Sequence, residues 1–479
     1  MENKLSKRYG LFTAICMVVG IVIGSGIFFK AQDILNKTHG NVLISVLAWV
    51  LGGLVMIICS AQFAVMATKY EKVNGVVDYA EETLGKRYAY YVGWFVTTIY
   101  YPAMTSVLAW VSARYFGVLV GWDMWSSDVM TLAGFLLVSA FILNSLAPKI
   151  AGYFQVSTTV IKLIPLVLMV FVGTVAGLFN GNLSANFVGN AISQAAGGSE
   201  LFAAICATAF AYEGWIISTS INSEIKDSKK NLPIALVLGA VIVVVIYVLY
   251  NIAIAGGATT LELQSNGATV AFNNIFGKVG GTILNVLVVV SCLGTLNGLM
   301  VGSTRGLYSV SVRGEGPLPK MFSQVDEHSG MPTNSSIFAL FCCAFWLLYF
   351  YLGNVANQMT GVLGVFNFDS SELPVITIYA LYIPMLIKWI IKEKDLGVFK
   401  RFILPILAIF ACLFLVFVAV YSHGIIPFIN AQKVGEFRCP VIFYFIIFAV
   451  VMLIGFLCSS DFRKIINKKS KNATKQIEE

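Results

Sequence analysis

Charge is scarce in this sequence. Of its 479 residues only 12% are Asp, Glu, Lys or Arg, whereas 58% are hydrophobic. Soluble domains carry about 25% charged residues, so the composition excludes a soluble globular protein and indicates an integral membrane protein. Histidine is scarce too, with three scattered residues, and the nine cysteines lie mostly in apolar runs without metal-ligand spacing. These absences give no sign of a disulfide framework, a metal site or a cofactor.

Several functional classes also lack their usual features here. The loops between apolar runs are short, so there is no large soluble domain, and no clustered carboxylates and histidines suggest an enzyme. A receptor would be expected to carry an appended signalling domain, and the TVGYG filter of potassium channels is absent. The first apolar run is not followed by a cleavage site and should remain as a membrane span. Transport is therefore the default function.

Twelve apolar runs are candidate membrane spans. Their predicted limits are 11–29, 41–67, 88–119, 127–146, 153–178, 201–220, 232–256, 281–310, 334–353, 373–391, 402–421 and 440–458. The semi-polar stretch 354–372, before the tenth run, is a candidate re-entrant or surface segment.

Lys and Arg predict the orientation of these spans. With both termini inside, the inner segments hold 25 of the 32 basic residues and the outer segments six, while Lys162 lies within the fifth span. We therefore predict a multi-pass protein of the plasma membrane with both termini cytoplasmic and a basic tail at 459–479. The net charge of +8 then belongs to cytoplasmic loops beside the lipid bilayer and requires no nucleic-acid partner.

The first span contains a glycine-rich sequence, Gly24-Ser25-Gly26, well inside its apolar run. Lipid offers no hydrogen bonds to an unwound backbone, so a break at this depth is tolerated only where it is buried in protein or lines a cavity. Transporters use such breaks to hold substrates. The alternative is that Gly20 and Gly24, four residues apart, form a close helix-packing face.

The sixth span contains a second interruption, Tyr212-Glu213-Gly214. Two interrupted spans at corresponding positions of two halves indicate an inverted-repeat transporter with its site at the midplane. The amino ends of the half-helices would present N–H groups and a positive dipole to an anion such as an amino acid carboxylate. The unwound carbonyls of span six would accept hydrogen bonds from the ammonium group.

Two charged residues, Lys162 and Glu213, lie near the middle of their predicted spans. A charge at the bilayer centre costs about 2.5–3.5 kcal/mol on insertion scales, so Lys162 must face protein or water. It either snorkels past Ser157, Thr158 and Thr159, or supplies a fixed cation or titrating amine that braces the unwound backbone of span one. Glu213 is either a structural partner of another polar group or a group that contacts substrate or carries a proton.

Weaker candidates for the pathway are polar residues in other spans, each of which could equally serve packing or interhelical hydrogen bonding. They are Tyr100, Tyr101, Asn144, Asn297 and Ser303.

The motifs together resemble a known family. GIVIGSGIF in span one resembles the GSGIF signature of amino acid permeases of the APC superfamily, and FAYEGWIISTSINSEIKDSKKNLPIALVLG resembles span six of its L-amino-acid transporter (LAT) branch. LNSLAPKIAGYFQVSTTVIKL, LNGLMVGSTRGLYSVSVRGEGPLPKMF and FKRFILPILAIFACLFLV resemble further segments, so that the likeness covers about residues 8–460.

The resemblance implies an all-α membrane protein of twelve helices with the leucine-transporter fold. Helices 1–5 (about 11–178) and 6–10 (about 201–391) would be inverted repeats with helices 1 and 6 unwound, and helices 11–12 (about 402–458) would be appended, all within one transporter domain, 1–479. The substrate-binding positions implied by the family's two loops are Ile23, Gly24, Ser25, Gly26 and Ile27, and Phe210, Ala211, Tyr212, Glu213 and Gly214. The family's span-five lysine corresponds to Lys162, whose charge resembles a substitute for the coupling sodium of related symporters.

Two departures from the family pattern matter. Animal members carry a cysteine after span three that bonds to a partner glycoprotein, and the loop GWDMWSS here has none, so no disulfide-linked partner is expected and a self-sufficient prokaryotic-type carrier is favoured. Many neutral-amino-acid members carry a small residue where Glu213 stands. This carboxyl could recognise a cationic side chain, or could remain protonated beside an uncharged one.

We therefore predict a sodium-independent exchanger of L-amino acids, small neutral ones first, that works by alternating access and is not an enzyme. The alternatives are a proton-coupled symporter using Glu213 and Lys162, a carrier of cationic amino acids or amines, and a substrate-gated channel or nutrient sensor on the same scaffold.

Overall fold

The computed structural model describes residues 10–70, 75–189, 198–216, 225–355 and 368–464. Within these ranges the chain is helical and has no β-strand. The main helices, in chain order, are α1 Leu11–Val22, α2 Gly26–Lys37, α3 Val42–Lys69, α4 Val76–Leu84, α5 Lys86–Val120, α6 Ser127–Leu146, α7 Pro148–Phe179, α8 Gly198–Ala211, α9 Ser228–Gly257, α10 Thr260–Asn266, α11 Ala268–Ser311, α12 Pro319–Phe322, α13 Thr333–Gly353, α14 Leu373–Lys392, α15 Phe399–Gln432 and α16 Pro440–Leu457.

Ten of these helices in the described part of the chain are long and apolar enough to cross a membrane, and α1 and α8 hold shorter apolar helices. The ten long helices correspond to predicted spans, and the first and sixth predicted spans each contain one of the shorter apolar helices. The limits of α6 are those the sequence predicted. The last four residues of the sixth predicted span, 217–220, lie outside the described residues, as does most of the stretch 354–372.

The first predicted span is a broken helix. Helix α1 ends at Val22, Ile23 adopts an extended backbone with ψ 105°, and α2 begins at Gly26. Helix α8 likewise ends at Ala211 and is followed by the turn Tyr212–Gly214, where Gly214 has φ +108°. Because a positive φ of this size suits glycine and few other residues, Gly214 allows the chain to leave α8 sharply.

The broken helices lie in the core of the bundle. Helix α9 packs along α1 and α3, α8 packs against α2 and α3, and α11 packs along α5 and α7. Helix α11 is longer than its predicted span because the helix before it continues across a kink at Gly277, which has φ +71°. These contacts surround the two breaks with α5, α7, α9 and α11.

Ion pairs concentrate at the two ends of the bundle. Glu372 lies immediately before α14 and pairs with Lys30 and Lys37 of α2. Glu393 lies just after the other end of α14 and pairs with Lys69 at the end of α3. We call these the Glu372 end and the Glu393 end. The distribution of basic residues predicts that the Glu372 end is the outer end and the Glu393 end the inner end.

Candidate functional site

A cavity of about 270 Å³ lies where the two broken helices meet. Its lining comes from α1, α2, α5, α7, α8, the turn after α8, and α11. Binding clefts for drug-sized molecules usually measure about 300–1,000 Å³, so the volume suits a small ligand. The lining residues are Gly20, Val22, Gly24, Ser25, Gly26, Tyr100, Met104, Leu108, Gln155, Lys162, Phe210, Ala211, Glu213, Gly214, Thr295, Gly298, Leu299 and Val301.

The amino end of α2 offers N–H groups to this cavity. The first amides of a helix have no intrahelical acceptor, and those of Gly26 and Ile27 have no hydrogen-bond partner in the described part of the chain. The amide of Ser25 lies 3.4 Å from Thr295 Oγ1. Together with the positive end of the helix dipole, this arrangement favours an anionic ligand group at the start of α2.

Gly26 is required by close packing as well as by the break. A Cβ added at Gly26 would lie 2.7 Å from the Ala211 Cα, which is closer than real Cβ contacts. A Cβ at Gly24 would lie 2.9 Å from Thr295 Oγ1. Side chains at these positions would therefore push α2 away from α8 and α11.

Side chains contact carbonyl groups at the carboxyl ends of α1 and α8, where each break begins. The ammonium group of Lys162 donates to the Gly20 carbonyl in the last turn of α1. The hydroxyl of Tyr247, fully buried on α9, lies 3.1 Å from the Val22 carbonyl oxygen and 3.2 Å from that of Ala211. One hydroxyl thus contacts the ends of both α1 and α8, and the Lys162 side chain is anchored rather than directed along the lipid boundary.

Glu213 brings a carboxyl group to the cavity wall. Its Oε1 accepts a hydrogen bond of 2.5 Å from the Tyr100 hydroxyl, and its buried Oε2 has no hydrogen-bond partner among the described residues. Tyr100 ends a π-helical segment of α5, Val96–Tyr100. Such segments are frequent at functional sites, and here the segment immediately precedes the part of α5 that lines the cavity. The unpaired oxygen leaves Glu213 able to bind a donor.

Most of the predicted binding residues meet at this cavity. Gly24, Ser25 and Gly26 line it from the first break, and Phe210, Ala211, Glu213 and Gly214 line it from the second, together with Lys162. Ile23 and Ile27 are fully buried but do not line it.

Tyr212 also points elsewhere. Its hydroxyl donates to the Trp49 carbonyl over 2.8 Å, and its ring stacks on that of Tyr247. It therefore braces the second break from behind.

Of the weaker polar candidates, Tyr100 alone lines the cavity. Asn144 donates to Asn297 over 2.9 Å, and Ser303 lies 3.1 Å from the Thr105 hydroxyl. Interhelical hydrogen bonding accounts for these residues.

Sequence reasoning missed part of the wall contributed by α5 and α11. These residues are Met104, Leu108, Thr295, Gly298, Leu299 and Val301. Nearly every side chain of such a helix is apolar or small, so no periodicity marks the face that lines the cavity.

An aromatic layer separates this cavity from a second one. The Phe210 ring, in the wall of the first cavity, contacts that of Phe29 edge-on, with centroids 6.1 Å apart, and Phe29 contacts Trp110 in the same way at 6.0 Å. Beyond them, towards the Glu372 end, Arg114 lines a cavity of about 260 Å³. Three rings thus close the first cavity on that side.

Comparison with known proteins identifies the family. The sequence profile of a family described as amino acid permease matches residues 9–456. The chain belongs to the amino acid permease family, as its motifs predicted. It is a transporter of amino acids rather than an enzyme.

Its relatives include one protein named as an exchanger and others named as transporters. The serine/threonine exchanger SteT of Bacillus subtilis is 31% identical over 327 residues, which cover 68% of this chain and 72% of the relative. The b(0,+)-type amino acid transporter 1 of Mus musculus is 25% identical over 427 residues, covering 88% and 84% of the two chains. The cystine/glutamate transporter of Homo sapiens is 26% identical over 336 residues, covering 69% and 66%.

Proposed function

We propose that this protein is a sodium-independent exchanger that moves small neutral L-amino acids across the plasma membrane by alternating access. The observation that carries the proposal is the pair of helix breaks around one cavity of about 270 Å³. The unpaired amides at the start of α2 suit the substrate carboxylate, and the carboxyl end of α8 together with Glu213 suits its ammonium group.

Lys162 supports independence from sodium. Its ammonium group already contacts the Gly20 carbonyl at the end of α1, so a fixed positive charge occupies the position where a coupling cation would brace an unwound helix. Exchange itself is proposed by analogy with the relative named as a serine/threonine exchanger.

The same proposal includes the architecture implied by the family. Twelve spans would form two inverted repeats of five, about 11–178 and 201–391, with two further helices at about 402–458, in one domain with cytoplasmic termini. The helix breaks in α1–α2 and after α8 occupy corresponding positions of the two halves, which supports this arrangement. No covalent partner glycoprotein is required.

Glu213 supports a second candidate, either proton-coupled uptake or transport of cationic amino acids. Its Oε2 is buried without a hydrogen-bond partner in the described part of the chain. Such an oxygen costs free energy unless it is protonated or accepts a hydrogen bond from a ligand.

Uptake into proteoliposomes separates the candidates. Labelled amino acids are supplied outside at fixed pH without sodium, with and without unlabelled amino acid inside. Uptake that requires the internal amino acid supports exchange and identifies the substrate. Uptake into empty vesicles that grows with an inward proton gradient supports symport instead, and a nutrient sensor would show neither.

A further inference from the structure

Three metal-binding side chains converge at the Glu372 end, outside the substrate cavity. Cys206 comes from α8, Glu372 from the turn before α14, and His423 from α15. The Cys206 Sγ, one Glu372 oxygen and one imidazole nitrogen of His423 all lie within 4.8 Å of one another. The residues are 51 to 217 positions apart in the sequence, so no local motif predicts that they form a cluster.

We propose that Cys206, Glu372 and His423 form a binding site for a zinc ion. Thiolate, imidazole and carboxylate are the three ligand types that Zn²⁺ takes in proteins. Bond lengths of about 2.0–2.3 Å place tetrahedral ligand atoms roughly 3.4 Å apart. His423 Nε2 and Glu372 Oε2 are 2.9 Å apart, so side-chain rotations rather than helix movements produce this geometry. The fourth position is left for water.

Glu372 can bind a zinc ion through one carboxylate oxygen while the other oxygen keeps its ion pairs with two lysines. Both Lys30 and Lys37 contact Oε1, each at 2.7 Å, whereas Oε2 faces His423. The two oxygens therefore divide the interactions of this fully buried carboxylate. The ion would bind on the Oε2 side, away from the oxygen that the ammonium groups share.

The charge of the cluster favours a further cation. Asp33 and Asp369 join Glu372 around Lys30 and Lys37, so three carboxylates face two ammonium groups. These five side chains together carry one excess negative charge. Zn²⁺ binding releases the thiol proton of Cys206 to solvent, and the ion and thiolate together add one positive charge. The zinc-bound cluster is neutral, which offsets the repulsion from the lysines.

An access route reaches the site. His423 lines a cavity of about 550 Å³ together with Lys37, Asp369 and Arg438. This cavity lies at the end of the bundle that the charge pattern predicts to be extracellular. Zinc would therefore bind from outside the cell.

Bound zinc would restrain the transporter. It would tie α8, which ends at the substrate cavity, to α14 and α15, and alternating access requires α8 to move. External zinc is thus expected to inhibit exchange. This consequence rests on the proposed function, whereas zinc binding itself does not.

Two assays on the full-length purified protein test the site. In the first, ZnCl₂ is titrated while the melting temperature is measured, with MgCl₂ as the control ion because Mg²⁺ prefers oxygen ligands. Zinc should raise the melting temperature, and the Cys206→Ser and His423→Gln variants should need at least tenfold more zinc for the same rise. In the second, external zinc should inhibit exchange in proteoliposomes with the same tenfold difference.

Cys439→Ser is the matched control. Cys439 is a buried cysteine at the same end, with its Sγ 3.8 Å from the Gly424 carbonyl oxygen, and is not part of the cluster. It should keep the full zinc response. If Cys206→Ser folds poorly, Cys206→Ala serves in its place. An unchanged response in the Cys206 variants, or no melting shift in the parent protein, overturns the proposal. Absence of all exchange with a normal zinc shift would count only against the proposed function.

Discussion

Gly26 and Ala211 bring the backbones of the two broken helices into contact. The contact leaves no room for a Cβ at Gly26, and the amide of Gly26 is one of those available to a carboxylate. A single residue therefore determines both the distance between the half-helices and the geometry of the anion-binding end. At this scale the site depends on the absence of a side chain.

Gly26→Val should abolish substrate binding while leaving membrane insertion intact. The added side chain must displace α8 or α2, and either movement misplaces the amides. Equilibrium binding of labelled substrate to purified protein measures the effect. Gly134→Val on α6, where a Cβ meets nothing within 4 Å, is the control and should bind normally. Unchanged affinity in Gly26→Val would remove the carboxylate-binding assignment.

Lys162→Ala should impair transport more than surface expression. It removes the donor to the Gly20 carbonyl, and an unsatisfied buried carbonyl costs about 1–3 kcal/mol. Uptake per molecule at the membrane is the measurement. Lys278→Ala, at an exposed lysine, provides the comparison. Normal turnover in Lys162→Ala would return Lys162 to a snorkelling role.

Glu213→Gln should selectively reduce uptake of cationic amino acids or flatten the dependence of uptake on external pH. The amide cannot carry the negative charge or the proton that these activities need. Initial uptake rates of lysine and serine, measured over a range of external pH, decide the question. No change in either would leave Glu213 with a structural role beside Tyr100.

Helix α9 holds the broken elements together from one side. Its Tyr247 hydroxyl contacts the terminal carbonyls of α1 and α8, while Tyr250, one turn further along the helix, packs edge-on against Phe28 of α2. Both rings are fully buried. The Tyr250 hydroxyl has no hydrogen-bond partner among the described residues. The two tyrosines therefore differ in whether their hydroxyl contacts a carbonyl oxygen.

Tyr247→Phe should therefore lower both stability and transport, whereas Tyr250→Phe should leave stability nearly unchanged. The Tyr247 hydroxyl has one proton to donate and lies between two buried carbonyl oxygens. Losing it removes that shared donor, which predicts a cost of about 1–3 kcal/mol. Thermal melting of both variants in the same lipid measures it. Equal melting temperatures would show that water or another group satisfies these carbonyls.

The helices were largely predictable because each apolar run must bury its own backbone hydrogen bonds in lipid. The break at Gly24–Gly26 was also predictable, since glycine and serine interrupt an otherwise apolar run. The wall formed by Thr295 and Leu299 was not, because the rotation of an apolar helix about its axis depends on packing partners rather than on pattern. The full length of α11 was not predictable either. A glycine such as Gly277 marks a place where a helix can bend, but the sequence does not say whether the helix continues beyond it.

At the scale of the whole molecule, the distribution of Lys and Arg predicts that the Glu372 end faces the outside and the Glu393 end faces the cytoplasm. Lys278→Cys should react with a membrane-impermeant maleimide added to intact cells, and Lys394→Cys should react only after the membrane is opened. The parent protein gives the background from the native cysteines. Labelling of Lys394→Cys in intact cells would reverse the proposed orientation.

The unpaired amides at the start of α2 have a consequence for the cell. Without a bound amino acid these amides and the Glu213 Oε2 lack partners within the described ranges. Closing the cavity around them without water then costs more free energy than closing it around a bound ligand. We therefore expect the carrier to change slowly between its outward-facing and inward-facing states unless an amino acid is bound. A cell that relies on such a carrier changes the composition of its amino acid pool while the total number of molecules stays constant.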